Sequence, residues 1–248
     1  MFNRIRVGVR PSPLAIKQAQ EIERLLADSV HFEIELIQTW GDMDKVTPLS
    51  NFEGSDFFTR EIESSLLEGR IDAAVHSAKD LGEVMPPQLA IAAITASISP
   101  WECLVSRQDL KLNELPLGAI IGTSSRKRKD AILEYRPDLR VCDIRGTIEE
   151  RLRQLDEGSF EAIVMAHAAL IRLGQEKRVA EIISAAIIEP HPLQGALAVQ
   201  VRCLDRQLIQ LFSKLHMMKT CAPIRNPQLI GVSLHAPAAH SSAQRGDL

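Results

Sequence analysis

The sequence predicts an α/β protein of two units, each a mainly parallel sheet flanked by helices. Three observations carry this. Short apolar runs alternate with amphipathic segments of helical period. Several of these runs end in polar or basic turns, as buried parallel strands do at their carboxyl ends. The stretch 97–101 interrupts the alternation and reads as a crossing into a second unit.

In chain order, Ile5, Val7 and Val9 alternate and predict a strand over 4–9. Ser12 and Pro13 then form an N-cap and N1 pair. The helix they open runs to about Ala27, with Leu14, Ala15, Ile22, Leu25 and Leu26 as its inner face. A second strand is predicted over 32–39, followed by a long polar loop over 40–56. Loops of that length tend to be functional. A helix over 57–68 ends at Gly69. Strands follow at 71–76 and 89–95. Beyond the crossing, strands are predicted at 104–106, 119–121, 141–144 and 162–166. Helices follow the Gly122–Lys129 turn and the Arg145–Thr147 turn, and a short one spans 167–173, closed by Gly174. Residues 191–201 return to a small, apolar pattern, a helix is plausible over 206–215, and the polar end of the chain reads as a disordered tail.

Composition narrows the function class. The chain has 248 residues, 45% hydrophobic and 25% charged, an ordinary globular mixture. A net charge of −3 gives no general drive toward nucleic acid or membrane. No apolar run approaches the ~20 residues of a membrane helix, and MFNRIRVGVR lacks a signal-peptide core, so a cytoplasmic location is expected. The four cysteines show no C-x-x-C pair, so no metal site is expected. Cys103, Cys142 and Cys203 read as structural.

Candidate chemistry gathers at three strand ends. IDAAVHSAKDL (71–81) closes an apolar run with His76, Ser77, Lys79 and Asp80. A carboxylate beside an ammonium stays ionised and can stabilise a cation formed during a reaction. A surface Lys79–Asp80 pair is the alternative. Arg10 and Ser12 stand at a strand–turn–helix junction suited to an anion, although Arg10 could equally pair with a surface carboxylate. Gly122 to Lys129 combines Thr123, Ser124 and Ser125 with Arg126, Lys127, Arg128 and Lys129. It is not a P-loop. Cations oppose the dipole at a helix N-terminus, so an anion among them explains the pattern better than a solvated turn or a nucleic-acid patch. Arg145, Gly146 and Arg151 flank a further such turn. Together these imply a cleft for a small polycarboxylate or phosphate ligand.

At this level of detail the chain resembles hydroxymethylbilane synthase, the porphobilinogen deaminase family. The resemblance rests on RVGVRPSPLAIKQAQ (6–20), TWGDMDKVTPLS (39–50), FFTREIESSLLEGRIDAAVHSAKDL (57–81), the 121–174 stretch from IGTSSRKRKDA to LIRLG, and LQGALAVQVR (193–202), all in family order. It implies two domains resembling type II periplasmic binding proteins, at 1–96 with 194–216 and at 100–190. It implies an enzyme, a transferase of haem biosynthesis that condenses four porphobilinogen units into a linear tetrapyrrole and releases ammonia from each. A covalent dipyrromethane cofactor would hold the growing chain. By the same resemblance Asp80 is catalytic, and Arg10, Ser12, Lys79, Thr123, Ser124, Ser125, Lys127, Arg128, Arg145, Gly146 and Arg151 bind cofactor or substrate.

Departures from the family pattern qualify these expectations. The loop 51–58, NFEGSDFF, carries Glu53 and Asp56 where the family has lysines, and should repel a polycarboxylate. Arg126 could partly compensate for Lys127 replacing an arginine. Thr147 stands in place of an asparagine, with Glu149 and Glu150 adding negative charge. The third domain is expected to be truncated, leaving 217–248 as a remnant and tail with Cys221 as the candidate cofactor attachment. The alternative for Cys221 is a plain thiol. The alternative for the whole chain is a non-catalytic two-domain clamp for a small polycarboxylate. A monomer is expected.

Overall fold

The computed structural model describes residues 4–26, 30–44, 47, 57–82 and 84–216. The predicted loop segment 51–56 and the whole of 217–248, including Cys221, lie outside the described residues.

The α/β expectation holds, as two five-stranded sheets flanked by helices. The first contains β1 (Arg4–Val9), β2 (His31–Leu36), β3 (Ala73–Ser77), β4 (Leu89–Ile94) and β10 (Leu197–Arg202), in the order β2-β1-β3-β10-β4. The second contains β5 (Glu102–Ser106), β6 (Ile120–Gly122), β7 (Arg140–Cys142), β8 (Ala162–Ala166) and β9 (Glu181–Ile183), in the order β7-β6-β8-β5-β9. Each sheet is mixed. β10 runs antiparallel to both its neighbours, and so does β5. The other strands of each sheet share one direction.

Period-two alternation sets the packing. Ile5, Val7 and Val9 of β1 face α1 (Pro13–Leu25) and α7 (Arg206–Ser213), meeting Ala19, Ile22, Leu208 and Phe212. On the opposite face Ala74 meets Ile62 and Leu66 of α3 (Arg60–Leu67). In the second sheet Ala162 and Val164 pack toward Ile132 of α4 (Arg126–Tyr135). Ile163 and Met165 pack toward Leu152 and Leu155 of α5 (Ile148–Asp156) and Leu170 of α6 (His167–Leu173). Burying each such branched side chain contributes about 1.5–3 kcal/mol.

Several sequence expectations need correction. The inner face of α1 is Ala15, Gln18, Ala19 and Ile22, with Leu26 just beyond, whereas Leu25 is exposed and Leu14 only half-buried. Gln18 replaces an apolar residue there because it donates to the Ser77 hydroxyl at 2.8 Å. The stretch after β2 is not all loop: Thr39 caps a short helix, α2 (Trp40–Met43), through Asp42. The helix predicted from 57 starts at Arg60, after a turn. β9 (Glu181–Ile183) is not among the expected strands. Cys103 is buried, but Cys142 and Cys203 are exposed.

The chain crosses between the sheets twice, at 95–101 and through the segment ending at 196. The crossings are stitched together. Leu197 N–H donates to Thr95 Oγ1 at 3.0 Å, and Ser97 Oγ donates to the Gln194 carbonyl at 2.6 Å. Gly195 has φ +80°, and a Cβ there would stand 2.3 Å from the Ser99 carbonyl oxygen. Arg172 of α6 reaches across to Glu21 of α1 (2.8 Å) and also donates to the Gly195 carbonyl (2.9 Å). Gly195→Ala is therefore expected to lose about 2 kcal/mol of stability from backbone strain alone. Urea unfolding checks this; an unchanged midpoint would show that the second crossing does not need its left-handed backbone.

Candidate active site

The carboxyl end of β3 delivers the first group. A 3₁₀ turn, Ala78–Asp80, follows the strand directly. Asp80 is exposed and makes no hydrogen bond or ion pair among the described residues. It lines a small cleft, open to solvent, together with Arg10, Ser12, Gln18, Phe58 and His76. Lys79 is half-buried and donates to Gln194 Oε1 at 3.0 Å. Burial and the nearby Arg128 hold its ammonium below the usual lysine range, against Asp80 and Glu102.

The β1–α1 junction delivers Arg10 and Ser12. Ser12 caps α1, accepting from Ala15 N–H at 3.2 Å. Arg10 pairs with Asp42 at 2.5 Å and lies over the Phe58 ring, 4.1 Å from its centroid. Burial opposes ionisation of Asp42, but hydrogen bonds from Arg10 and Thr39 outweigh it and hold the carboxyl below the usual range.

The second sheet contributes from two turns. Thr123 is buried at the end of β6, and Ser124 donates to the Ile144 carbonyl at 2.6 Å. Ser125 stands at the N-cap of α4 without making a side-chain cap bond. Arg128 is buried and pairs with Glu102 of β5 at 2.8 Å. Part of the anion expected among these cations is thus the protein's own. At the β7–α5 turn Gly146 has φ +104°, and a Cβ would collide with Glu150. The Gly146 carbonyl accepts from Arg151 Nε at 2.9 Å. Arg145 donates to the carbonyls of Gly41 and Asp44, bridging from the second sheet to the first. Burial, then Arg128, Arg145 and Arg10, push the Arg151 guanidinium down to about 10.

One feature the sequence reading missed lies behind the cleft. His76 Nε2 is 3.1 Å from Gln200 Oε1, and the Gln200 amide donates to Glu63 Oε1 at 2.8 Å. That donation turns the Gln200 carbonyl toward His76, so the imidazole proton resides on Nε2. All three side chains are buried. Burial pushes the imidazole down to about 4, against the Gln200 hydrogen bond and Asp80. A glutamine inside the apolar run LAVQV was the signal available.

Most predicted residues converge; some do not. Lys127 turns outward to Glu189, 3.0 Å away on the surface. Arg126 is exposed and faces Asp130, so it does not stand in for it. Glu150 adds no free charge at the turn, because it is engaged in a capping box with Thr147.

The donor set fits a ligand with several carboxylates. Among the buried side-chain atoms of the described residues without a hydrogen-bond partner, three belong to the predicted site, Thr123 Oγ1, Arg128 Nε and Arg145 Nη1. The others are the carboxylate oxygens Glu61 Oε2, Glu102 Oε2 and Asp205 Oδ2. Buried polar atoms are rarely left so, and donors without acceptors suit an anion.

Comparison with known proteins agrees. Residues 5–210 match the family model described as porphobilinogen deaminase, dipyromethane cofactor binding domain. The chain is 37% identical to the porphobilinogen deaminase of Dichelobacter nodosus, over 93% of this chain and 76% of the relative. It is 41% identical to that of Paenibacillus macerans, over 84% and 67%. For the Limosilactobacillus reuteri enzyme the figures are 34%, 100% and 85%. Among solved structures, a lipoprotein of Bacillus subtilis described as methionine-binding superposes with a TM-score of 0.50 at 14% identity. It covers 88% of this chain and 92% of its own. That likeness concerns the fold alone, a binding-protein type of two-unit arrangement.

The buried imidazole makes a pH prediction. Its pKa is about 6.5 unfolded and about 4 folded, so between those values the unfolded chain binds more protons and stability rises with pH. The parent is expected to lose about 3 kcal/mol more than His76→Gln as pH falls from 6.5 to 4. Paired urea titrations check this; parallel pH profiles would mean that His76 titrates normally.

Proposed function

The chain belongs to the porphobilinogen deaminase family, and on that premise we propose that Asp80 and the facing cations are its catalytic centre. It is a transferase of tetrapyrrole synthesis carrying the dipyrromethane cofactor-binding domain. A non-catalytic clamp is not favoured, because relatives at 34–41% identity over most of the chain are named as this enzyme.

The substrate in this reading is porphobilinogen, of which four are joined with release of four ammonia molecules. The observation that carries the reading is the Asp80 carboxylate, which makes no hydrogen bond or ion pair among the described residues, lines a cleft with Arg10, and lies within the electrostatic reach of Lys79 and Arg151. Arg145, Arg151, Lys79 and Arg128 hold the acetate and propionate groups, with Thr123 and Ser125 as hydroxyl partners. Ser12, Ser124, Gly146 and Arg10 shape the turns that present them. Lys127 acts at the rim. Dipyrromethane, when bound by this donor set, holds the growing chain and supplies the pyrrole carbon at which it is extended.

The chain's own groups do the following. The C–N bond of the substrate's protonated aminomethyl group breaks, and its electron pair leaves with ammonia. The methylene-pyrrole cation left behind is stabilised by Asp80, which receives pyrrole N–H donors. A new C–C bond forms, and the displaced proton leaves the attacking carbon toward the same carboxylate.

The domain partition of 1–96 with 194–216 against 100–190 is supported by the strand membership of the two sheets. Among the described residues no helix is long and apolar enough to cross a membrane, and a cytoplasmic monomer is our reading. Cys221 is our choice for cofactor attachment.

Asp80→Ala is expected to cut ammonia release from porphobilinogen by at least about 100-fold. Its unfolding free energy should stay within about 0.5 kcal/mol, as for an exposed residue. A variant releasing ammonia at the parent rate would refute the assignment. The intact mass of denatured protein from porphobilinogen-making cells should show an adduct of two pyrrole units that Cys221→Ala lacks. An adduct persisting in that variant moves the attachment elsewhere.

A further inference from the structure

Gln194 sits where the second crossing meets the site. It is 1% exposed, and each of its polar groups is engaged. Its backbone N–H donates to the His191 carbonyl at 2.8 Å, and its own carbonyl accepts from Ser97 Oγ at 2.6 Å. Its side-chain nitrogen donates to the Pro100 carbonyl at 2.9 Å, on the other crossing. Its side-chain oxygen accepts from Lys79 Nζ at 3.0 Å. The amide is therefore polarised between one crossing and the ammonium beside Asp80. Neither end can rotate away, because exchanging nitrogen and oxygen would aim N–H at an ammonium and a carbonyl at a carbonyl.

The following residue limits the alternatives further. Gly195 has φ +80°, its missing Cβ is walled by Ser97 and Ser99, and its carbonyl accepts from Arg172. A segment held in this way presents Gln194 in one orientation only. Lys79, by contrast, lies at the end of a flexible stem, repelled by Arg128 and Arg151 and attracted by Asp80 and Glu102. Among the described residues its hydrogen bond goes to none of these but to Gln194, a neutral acceptor.

We propose that Gln194 is a positioning residue of the centre, coupling the geometry of the two crossings to the location of the Lys79 ammonium beside Asp80. The proposal rests on the reading of Asp80 and Lys79 given above. A neutral acceptor is chemically apt here. It fixes the ammonium without neutralising it, so the full charge stays available for a substrate carboxylate. A carboxylate in the same place would quench that charge.

Two substitutions separate positioning from a purely structural role. Gln194→Met and Gln194→Glu both remove the donor to Pro100, so both damage the link between crossings alike. They differ at Lys79. Methionine removes an acceptor that favours the ammonium, and glutamate adds a negative charge. With ¹³C-labelled lysine followed by NMR in the purified chain, the Lys79 pKa is expected to fall in the first and rise in the second. Each shift should be about one unit. Gln194→Met should also lose about tenfold in kcat/KM for porphobilinogen, the loss of one charge-assisted hydrogen bond, and Gln194→Glu about as much through the quenched Lys79 charge. Shifts in the same direction, or none, would overturn the proposal and leave Gln194 as a structural staple. If Gln194→Met fails to fold, Gln194→Glu against the parent decides alone, and an absent or downward shift overturns it. The NMR titration needs no turnover. Opposite shifts with an inactive parent would count against the catalytic reading and not against the Gln194–Lys79 link.

Discussion

Mutual repulsion among cations is the constraint that organises this protein. Arg10, Arg128, Arg145, Arg151 and Lys79 converge from two sheets, and the four arginines each lower the pKa of a neighbouring cation. Like charges partly removed from water repel strongly unless something answers them. Two kinds of answer are built in. Arg10 and Arg128 have carboxylates, Asp42 and Glu102. Among the described residues the hydrogen bonds of Arg145, Arg151 and Lys79 go to carbonyl oxygens, from Gly41, Asp44, Gly146 and Gln194. A carboxylate cancels a charge; a carbonyl dipole merely orients it. The second group therefore keeps its positive field, and that field reaches Asp80, a carboxylate that makes no ion pair among the described residues.

This distinction also separates what was legible in the sequence from what was not. Apolar runs ending in polar residues identified the strand ends, and IDAAVHSAKDL, the Arg10 turn and the Arg145 turn all lie where they should. Cations can be counted from sequence, but their partners cannot. Glu102 falls between the expected crossing and the expected strand over 104–106, Gln200 reads as a residue of a small, apolar stretch, and Glu63 as one of several acidic residues on a helix. Their burial depends on groups far along the chain: His76 meets Gln200 across 124 positions, and Gln200 meets Glu63 across 137. Within GTSSRKRKD the composition alone gave no means of choosing Arg128 over its neighbours. Helical geometry sends Arg128 inward to Glu102 and leaves Arg126 and Lys127 at the surface. The Thr147-x-x-Glu150 capping box was legible from spacing, and would have removed Glu150 from the account of free negative charge.

The two reversed strands explain why the site and the crossings are inseparable. In a parallel sheet, ligand-binding groups collect at the carboxyl ends of the strands. An antiparallel strand inserted among them begins where its neighbours finish. β5 opens with Glu102, which pairs in register with Ala166 at the end of β8. β10 opens with Leu197, in register with Ser77 at the end of β3. The chain entering each reversed strand must therefore arrive at the level of the site. It brings the crossings with it: Pro100 and Trp101 just before Glu102, Gln194 and Gly195 just before Leu197. A fold with wholly parallel sheets would enter both strands from the opposite edge, with the hinge remote from the chemistry. Here the segments that join the two units supply the acceptor for Lys79 and lead directly into the counter-ion of Arg128. A change in the angle between the units cannot leave the cation cluster untouched.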